Sequence, residues 1–212
     1  RYFSDATSLM EVGCGTGFVL SGIADAFPHL ELVGSEIYSA GLQFAAQRVR
    51  RATLVQADAR RLPYVEAFDV VAAFDVIEHI EEDELVLENF HTALRPGGGC
   101  LLTVPQHAWL WSTLDEQACH KRRYSAEDLH KKLSQAGFRV VFSTSFVTFL
   151  LPLMMLSRLT PRRAGDATDE LHTSAVTGFT LESVLRLERR FIRSGVRWPV
   201  GGSRLVVAIK DA

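Results

Sequence analysis

Two short stretches of this 212-residue sequence gather the side chains that do chemistry. The first is Asp75-Val76-Ile77-Glu78-His79, which puts two carboxylates and an imidazole within one turn. An imidazole gives or takes a proton near neutral pH, so His79 is a candidate general base. The second stretch runs from Trp109 to Tyr124 and holds Trp111, Asp115, His120, Arg122, Arg123 and Tyr124. Its weak periodicity suits a loop, and such loops carry function more often than scaffold. Paired guanidinium groups suit a bidentate hold on an anionic substrate, with His120 a further proton acceptor. His107 is a weaker candidate. The plainer alternatives stay open: Glu78 and His79 could merely start a helix. The second stretch could be a self-satisfied, salt-bridged loop capping the next helix.

These residues need a frame, and the frame begins at Glu11-Val12-Gly13-Cys14-Gly15-Thr16-Gly17. Three glycines at alternate positions make a turn on which a ligand can lie against bare backbone. An apolar strand precedes it, and Phe18–Phe27 follows with helical spacing. Free N–H groups at such a helix start favour an oxygen-rich, anionic ligand. A dinucleotide turn needs Gly-x-Gly-x-x-Gly. Phe18 and Leu20 stand where its third glycine would be, counted from Gly13 or from Gly15.

Apolar runs predict strands at 8–12, 30–35, 53–57, 69–74 and 99–104, with helices over 17–27, 38–49 and 82–94. A helix over 125–136 and strands at 138–142 and 204–210 complete the chain. Strand–helix alternation implies a parallel sheet with right-handed crossovers. Glu36 stands at the end of the second strand, placed to take both hydroxyls of a ribose. Asp58-Ala59 follows the third strand, and Asp75 the fourth.

The Glu-x-Gly-x-Gly-x-Gly spacing resembles motif I of the class I S-adenosylmethionine-dependent methyltransferases. The second to fifth strands with their acids, and Leu94-Arg95-Pro96-Gly97-Gly98-Gly99, resemble the later motifs in the same order. The likeness covers about residues 9–145. It implies a Rossmann-like α/β fold: a seven-stranded, mostly parallel sheet with helices on both faces and the last strand antiparallel. It implies S-adenosylmethionine as cofactor and S-adenosylhomocysteine as product. The cofactor would be held by Glu11, Gly13, Cys14, Gly15, Gly17, Glu36, Ile37, Asp58, Ala59, Phe74 and Asp75, with Asp58 facing the adenine amino group. His-Lys-Arg-Arg-Tyr-Ser at 120–125 resembles a subgroup of small bacterial methyltransferases of broad substrate range.

The expected reaction is methyl transfer to a small-molecule acceptor at oxygen or nitrogen, with His79 and His120 catalytic. Trp111, Asp115, Arg122, Arg123, Tyr124 and Phe149 are expected at the acceptor. An NAD-linked oxidoreductase and a non-catalytic partner subunit on the same fold are the rivals. Phe18 argues against the first, and Glu36 with Asp58 against the second. Some quinone-pathway O-methyltransferases hold a divalent metal at a similar acid-x-x-Glu-His segment. Asp75, Glu78 and His79 alone are few ligands for a hard ion, so no metal is expected here.

One domain spans 1–212, with a cofactor core at 1–145, a helical insertion at 146–195 and the final strand in 196–212. The insertion carries an apolar helix over 146–159 and an amphipathic helix over 180–194, separated by Pro161 and the polar stretch 162–169. It is expected to wall a partly apolar acceptor pocket with Phe146, Phe149 and Met154; a dimer contact or, less favoured, a membrane-surface contact is the alternative. A net charge of −2 gives no drive toward nucleic acid. Three cysteines suit reduced thiols, and no signal peptide precedes the first strand, so the cytoplasm is expected. A monomer or homodimer fits equally.

Overall fold

In the computed structural model, residues 2–159 and 175–211 are described. Their strands are β1 (Ser8–Val12), β2 (Glu31–Glu36), β3 (Ala52–Gln56), β4 (Phe68–Phe74), β5 (Leu94–Pro105), β6 (Phe138–Phe146) and β7 (Ser203–Lys210). They form one sheet in the order β3-β2-β1-β4-β5-β7-β6. β1 to β5 run parallel, and β7 lies antiparallel between β5 and β6. The helices are α1 (Phe18–Ala26), α2 (Ser39–Arg48), α3 (Asp83–Ala93), α4 (Thr113–Gln117), α5 (Ala126–Gln135), α6 (Leu151–Leu159) and α7 (Ala175–Arg193).

Every residue of β1 is buried, as a central parallel strand covered on both faces requires. Alternate side chains feed two cores. Met10 joins Val71, Leu87, Phe90, Leu102 and Leu129 on one face. Leu9 joins Leu20, Leu32 and Val70 on the other. From β1 the chain turns toward β2, and β4 lies on β1's other side. That reversal opens a crevice at the carboxyl ends of β1 and β4, where open α/β sheets bind ligands.

Tyr124 seals one core. It is fully buried, and its hydroxyl donates to Asp83 Oδ2 at 2.7 Å. Tyr124→Phe leaves a buried carboxylate short of one donor. It is expected to cost about 1–3 kcal/mol in denaturant unfolding.

The ends of several elements differ from the sequence reading. The predicted strand at 138–142 runs on to Phe146, because its last residues pair with β7 as far as Phe146↔Ser203. Val147 then takes a left-handed turn at φ 59°, so the helix expected from 146 begins only at Leu151. Pro152 fits its first turn, where no N–H is needed. The helix expected from 180 begins five residues earlier, at Ala175. Pro161 and the polar stretch 162–169 lie outside the described residues. α4 and three short 3-10 turns, at Ala59–Arg61, Ile77–His79 and Ala108–Leu110, carry no periodic signal and were not expected.

Candidate active site

The glycine turn is built from strain that only glycine tolerates. Gly13, Gly15 and Gly17 have φ of 72°, 51° and 76°. Gly17 N–H closes the turn on the Cys14 carbonyl at 2.8 Å, and Cys14 N–H reaches the Ser35 carbonyl of β2 at 2.9 Å. A Cβ on Gly13 would lie 2.6 Å from Val76 Cγ2, whereas one on Gly15 would meet nothing within 4 Å. Gly17 packs against the α2 backbone, where a Cβ would lie 3.0 Å from Ala45 Cα. One glycine thus fits the turn to β4, one opens outward, and one seats α1 on α2.

Glu36 spans this turn and the next. Its Oε2 accepts from Gly15 N–H and its Oε1 from Tyr38 N–H, both at 3.0 Å. Beyond it opens a cavity of about 820 Å³ at the carboxyl ends of β1 to β4. Gly13, Glu36, Ile37, Asp58, Ala59, Asp75 and His79 line it, with Tyr38, Arg60, Ile80 and Lys121. Asp58 is engaged already: Arg60 Nη2 lies 2.7 Å from Oδ2, and that hydrogen bond holds the carboxyl below its usual range. Any other donor must share Asp58 with this guanidinium. Asp75 sits in a left-handed conformation, φ 53°, with the Thr103 hydroxyl donating to Oδ1 at 3.2 Å. Burial raises its pKa.

Behind the cavity lie Glu11 and Cys14, both buried. Burial lifts the Glu11 carboxyl to about 7 and, with the nearby Glu11 and Glu36 charges, the Cys14 thiol to about 12. Below about pH 4.5 Glu11 is neutral folded or unfolded. Between about 4.5 and about 7 the folded chain holds a proton that the unfolded chain has lost, so stability falls as pH rises. Glu11→Gln is expected to remove that fall. It should raise stability at pH 8, by up to about 3 kcal/mol, and change nothing at pH 4. Paired denaturant titrations at the two pH values check this.

The 3-10 turn Ile77–His79 leaves β4 and buries Ile77 and Glu78. His79 lines the cavity, and Glu78 behind it is wholly buried. Burial pushes Glu78 up to about 8. His79 is lowered by burial and then by His120. The two imidazoles meet edge to face, 4.7 Å between centroids. His120 Nδ1 lies 2.9 Å from Asp115 Oδ1. Lys121 N–H ties the loops by donating to the Glu78 carbonyl at 2.7 Å.

The remaining residues expected at an acceptor are placed otherwise. Asp115 is 1 % exposed and spent on Ser112, His120 and Arg123. Burial raises its pKa, but hydrogen bonds from Arg123 and His120 outweigh this and hold it below the usual carboxylate range. Arg123 is held by Asp115 and the Gln106 carbonyl. Tyr124 serves Asp83, and Arg122 pairs with Asp83 at 2.8 Å and reaches the Glu81 carbonyl. Trp111 turns its Nε1 to Glu116. Phe149 packs on Phe191 and Trp198 beyond the β6 edge strand and does not line the cavity. Much of the Asp115–Tyr124 stretch is therefore a salt-bridged brace, the plainer of its two readings. The insertion follows the carboxyl end of β6, the strand farthest from β3 in the sheet, so none of its described residues lines this cavity. Phe74 ends β4, and His107, at φ 64°, stacks on Trp109.

Tyr38, Arg60, Ile80 and Lys121 escaped the sequence reading. The only signal for the first two was nearness to Glu36 and Asp58.

With this geometry in place, comparison with known proteins shows what the chain is similar to. Residues 10–100 match the family model described as a methyltransferase domain. A protein of Mycolicibacterium smegmatis described as a probable S-adenosylmethionine-dependent methyltransferase is 30% identical over 135 residues, 62% of this chain and 52% of that protein. The trans-aconitate 2-methyltransferase of Variovorax paradoxus is 27% identical over 49% of this chain and 40% of its own length. Among solved structures, phosphoethanolamine N-methyltransferase 2 of Haemonchus contortus, in complex with S-adenosyl-L-methionine, superposes with a TM-score of 0.66. At 19% identity over 97% of this chain and 49% of that one, it shows the shared fold.

The chain therefore has a Rossmann-like α/β fold shared with methyltransferases, and its residues 10–100 are similar to a methyltransferase domain. It spans about half the length of the curated relatives it matches.

Proposed function

We propose that this chain transfers the methyl group of S-adenosylmethionine to a small-molecule acceptor, at oxygen or nitrogen, in the cytoplasm. The observation that carries the reading is Glu36, clasped by the Gly15 and Tyr38 amides at one end of a cavity whose other end holds Asp75 and His79. The cavity's size suits a nucleoside-sized ligand. The open side of Gly15 leaves bare backbone for it to lie on.

In this reading Glu36 takes the ribose hydroxyls, and Ile37 and Ala59 flank the base. Asp58 meets the adenine amino group once Arg60 frees one of the carboxylate's acceptor positions. Glu11, Gly13 and Asp75 bound the amino-acid end. Bound S-adenosylmethionine supplies a methyl group on positive sulfur, an electrophile that needs an aligned nucleophile. The chain's own task is to orient the acceptor and accept its proton. His79 and His120 stand where that proton leaves. Trp111 and Arg122, partly exposed on the same side, remain candidate contacts for an acceptor that is partly apolar or anionic.

Glu36→Ala is expected to weaken S-adenosylhomocysteine binding by about 1.5–3 kcal/mol, the scale of hydrogen bonds to a charged group. Calorimetric titration reads it directly, and unchanged affinity would remove Glu36 from the site. A metabolite-extract screen for label from methyl-labelled S-adenosylmethionine then identifies the acceptor. Labelled nucleic acid in place of a small molecule would refute the substrate class. Enhanced NADH fluorescence, with no S-adenosylhomocysteine binding, would favour the oxidoreductase reading. Exposed Phe18, where a dinucleotide turn needs glycine, argues against that outcome.

A further inference from the structure

We infer that Glu78, His79 and His120 form a binding site for a divalent transition-metal ion of the zinc type, opening onto the cavity. The binding itself is independent of the methyl-transfer reading; what the ion does there rests on it.

One ligand atom from each of the three residues lies within 4.8 Å of the other two. They come from loops 41 residues apart, brought together by the carboxyl edge of the sheet and pinned by Lys121 N–H on the Glu78 carbonyl. Glu78 is wholly buried, yet neither carboxylate oxygen has a hydrogen-bond partner among the described residues. A buried carboxylate without partners is costly, and a bound cation relieves it. Both imidazoles are set as ligands usually are. His120 commits Nδ1 to Asp115, which leaves Nε2 to ligate, and Asp115 is in turn fixed by Arg123 and Ser112. His79 interacts with the backbone of Ala118 and Cys119. Such outer partners hold the tautomer and orientation of metal-bound histidines.

Two nitrogens and one oxygen suit zinc or a neighbouring transition ion, not Mg²⁺ or Ca²⁺, which take oxygen. Three protein ligands leave a fourth position, and His79 places it on the cavity side. There the ion would lower the pKa of an acceptor hydroxyl and ease release of its proton to water. The expectation of no metal counted Asp75, Glu78 and His79. In the fold Asp75 is turned to Thr103, and His120 takes the third place.

The test strips the chain with a chelator, dialyses it and titrates Zn²⁺ by calorimetry, with metal content measured by mass spectrometry. One zinc per chain is expected. Stoichiometric binding should vanish in His120→Ala and in the near-isosteric Glu78→Gln, and weaken about 10–100-fold in Asp115→Asn. Native binding no tighter than that of a His79→Ala/His120→Ala double variant would overturn the site. Co²⁺ titration of the native chain needs no variant. Intense visible bands of a four-coordinate ion support the site, and only the weak spectrum of hydrated Co²⁺ refutes it. S-adenosylhomocysteine titration of the same samples separates the two readings. Zinc bound without S-adenosylhomocysteine keeps the metal site and sinks the methyl-transfer reading; S-adenosylhomocysteine bound without zinc does the reverse.

Discussion

Gly15→Val is expected to leave the chain folded and to abolish S-adenosylhomocysteine binding. The protein itself has room for the side chain, since a Cβ at Gly15 meets no heavy atom within 4 Å. That open space is the floor on which the ligand would lie, so the isopropyl group takes the ligand's place. A branched residue at φ 51° also carries about 1–3 kcal/mol of backbone strain, too little to unfold most domains but enough to shift the Gly15 N–H away from Glu36. Gly13→Val is the instructive contrast. Its Cβ collides with Val76, so stability falls there as well as binding. Calorimetric titration with circular dichroism on the same sample reads both quantities. A folded Gly15→Val chain that binds normally would mean that this turn is not the site.

His79→Ala is expected to lower turnover by about 10²–10⁴-fold, since it removes both the imidazole as proton acceptor in the metal-free chain and a ligand of the ion that eases proton release when zinc is bound. Affinity for S-adenosylhomocysteine should stay as it is, because the ribose is assigned to Glu36, which the Gly15 and Tyr38 amides hold without help from His79. The variant is well chosen on structural grounds. His79 faces the cavity and meets His120 edge to face, but unlike Asp115 or Tyr124 it holds no buried ion pair or hydroxyl partner among the described residues. Turnover is read as label transfer to the acceptor that the metabolite screen provides. A loss of cofactor affinity in place of turnover would move His79 from the acceptor to the cofactor.

The frame of the molecule was legible because it is written locally. Apolar runs such as 68–74 announce buried parallel strands, and Gly13, Gly15 and Gly17 announce a turn that other residues cannot make. Acids at strand ends could be placed at the cavity, since strand and turn fix where Glu36 and Asp58 must stand. The Trp109–Tyr124 stretch was not legible in the same way. Its residue types suit both recognition and bracing, and only tertiary partners decide. Asp83, far away in sequence, claims Tyr124 and Arg122. Asp115 claims Arg123 and His120. Likewise, nothing local says that His120 returns to Glu78, because a contact across two loops has no period. Phe149 shows a different limit. Its apolar character correctly demanded cover, but Phe191 and Trp198 supply it at the sheet edge, away from the cavity.

The antiparallel β7 has a consequence for how the chain reaches this fold. β7 is the last of the described strands in chain order, yet it fits between β5 and β6, pairing along both. During synthesis β5 and β6 therefore wait with open edges, and their contacts span about a hundred residues of sequence for β5. The half that holds the glycine turn can assemble early, while the other half is a pair of unpaired edges prone to sticking to other chains. Shortening the chain before Ser203 would thus yield aggregate before it yielded a smaller binding domain. The slow step of folding should be the insertion of this one strand.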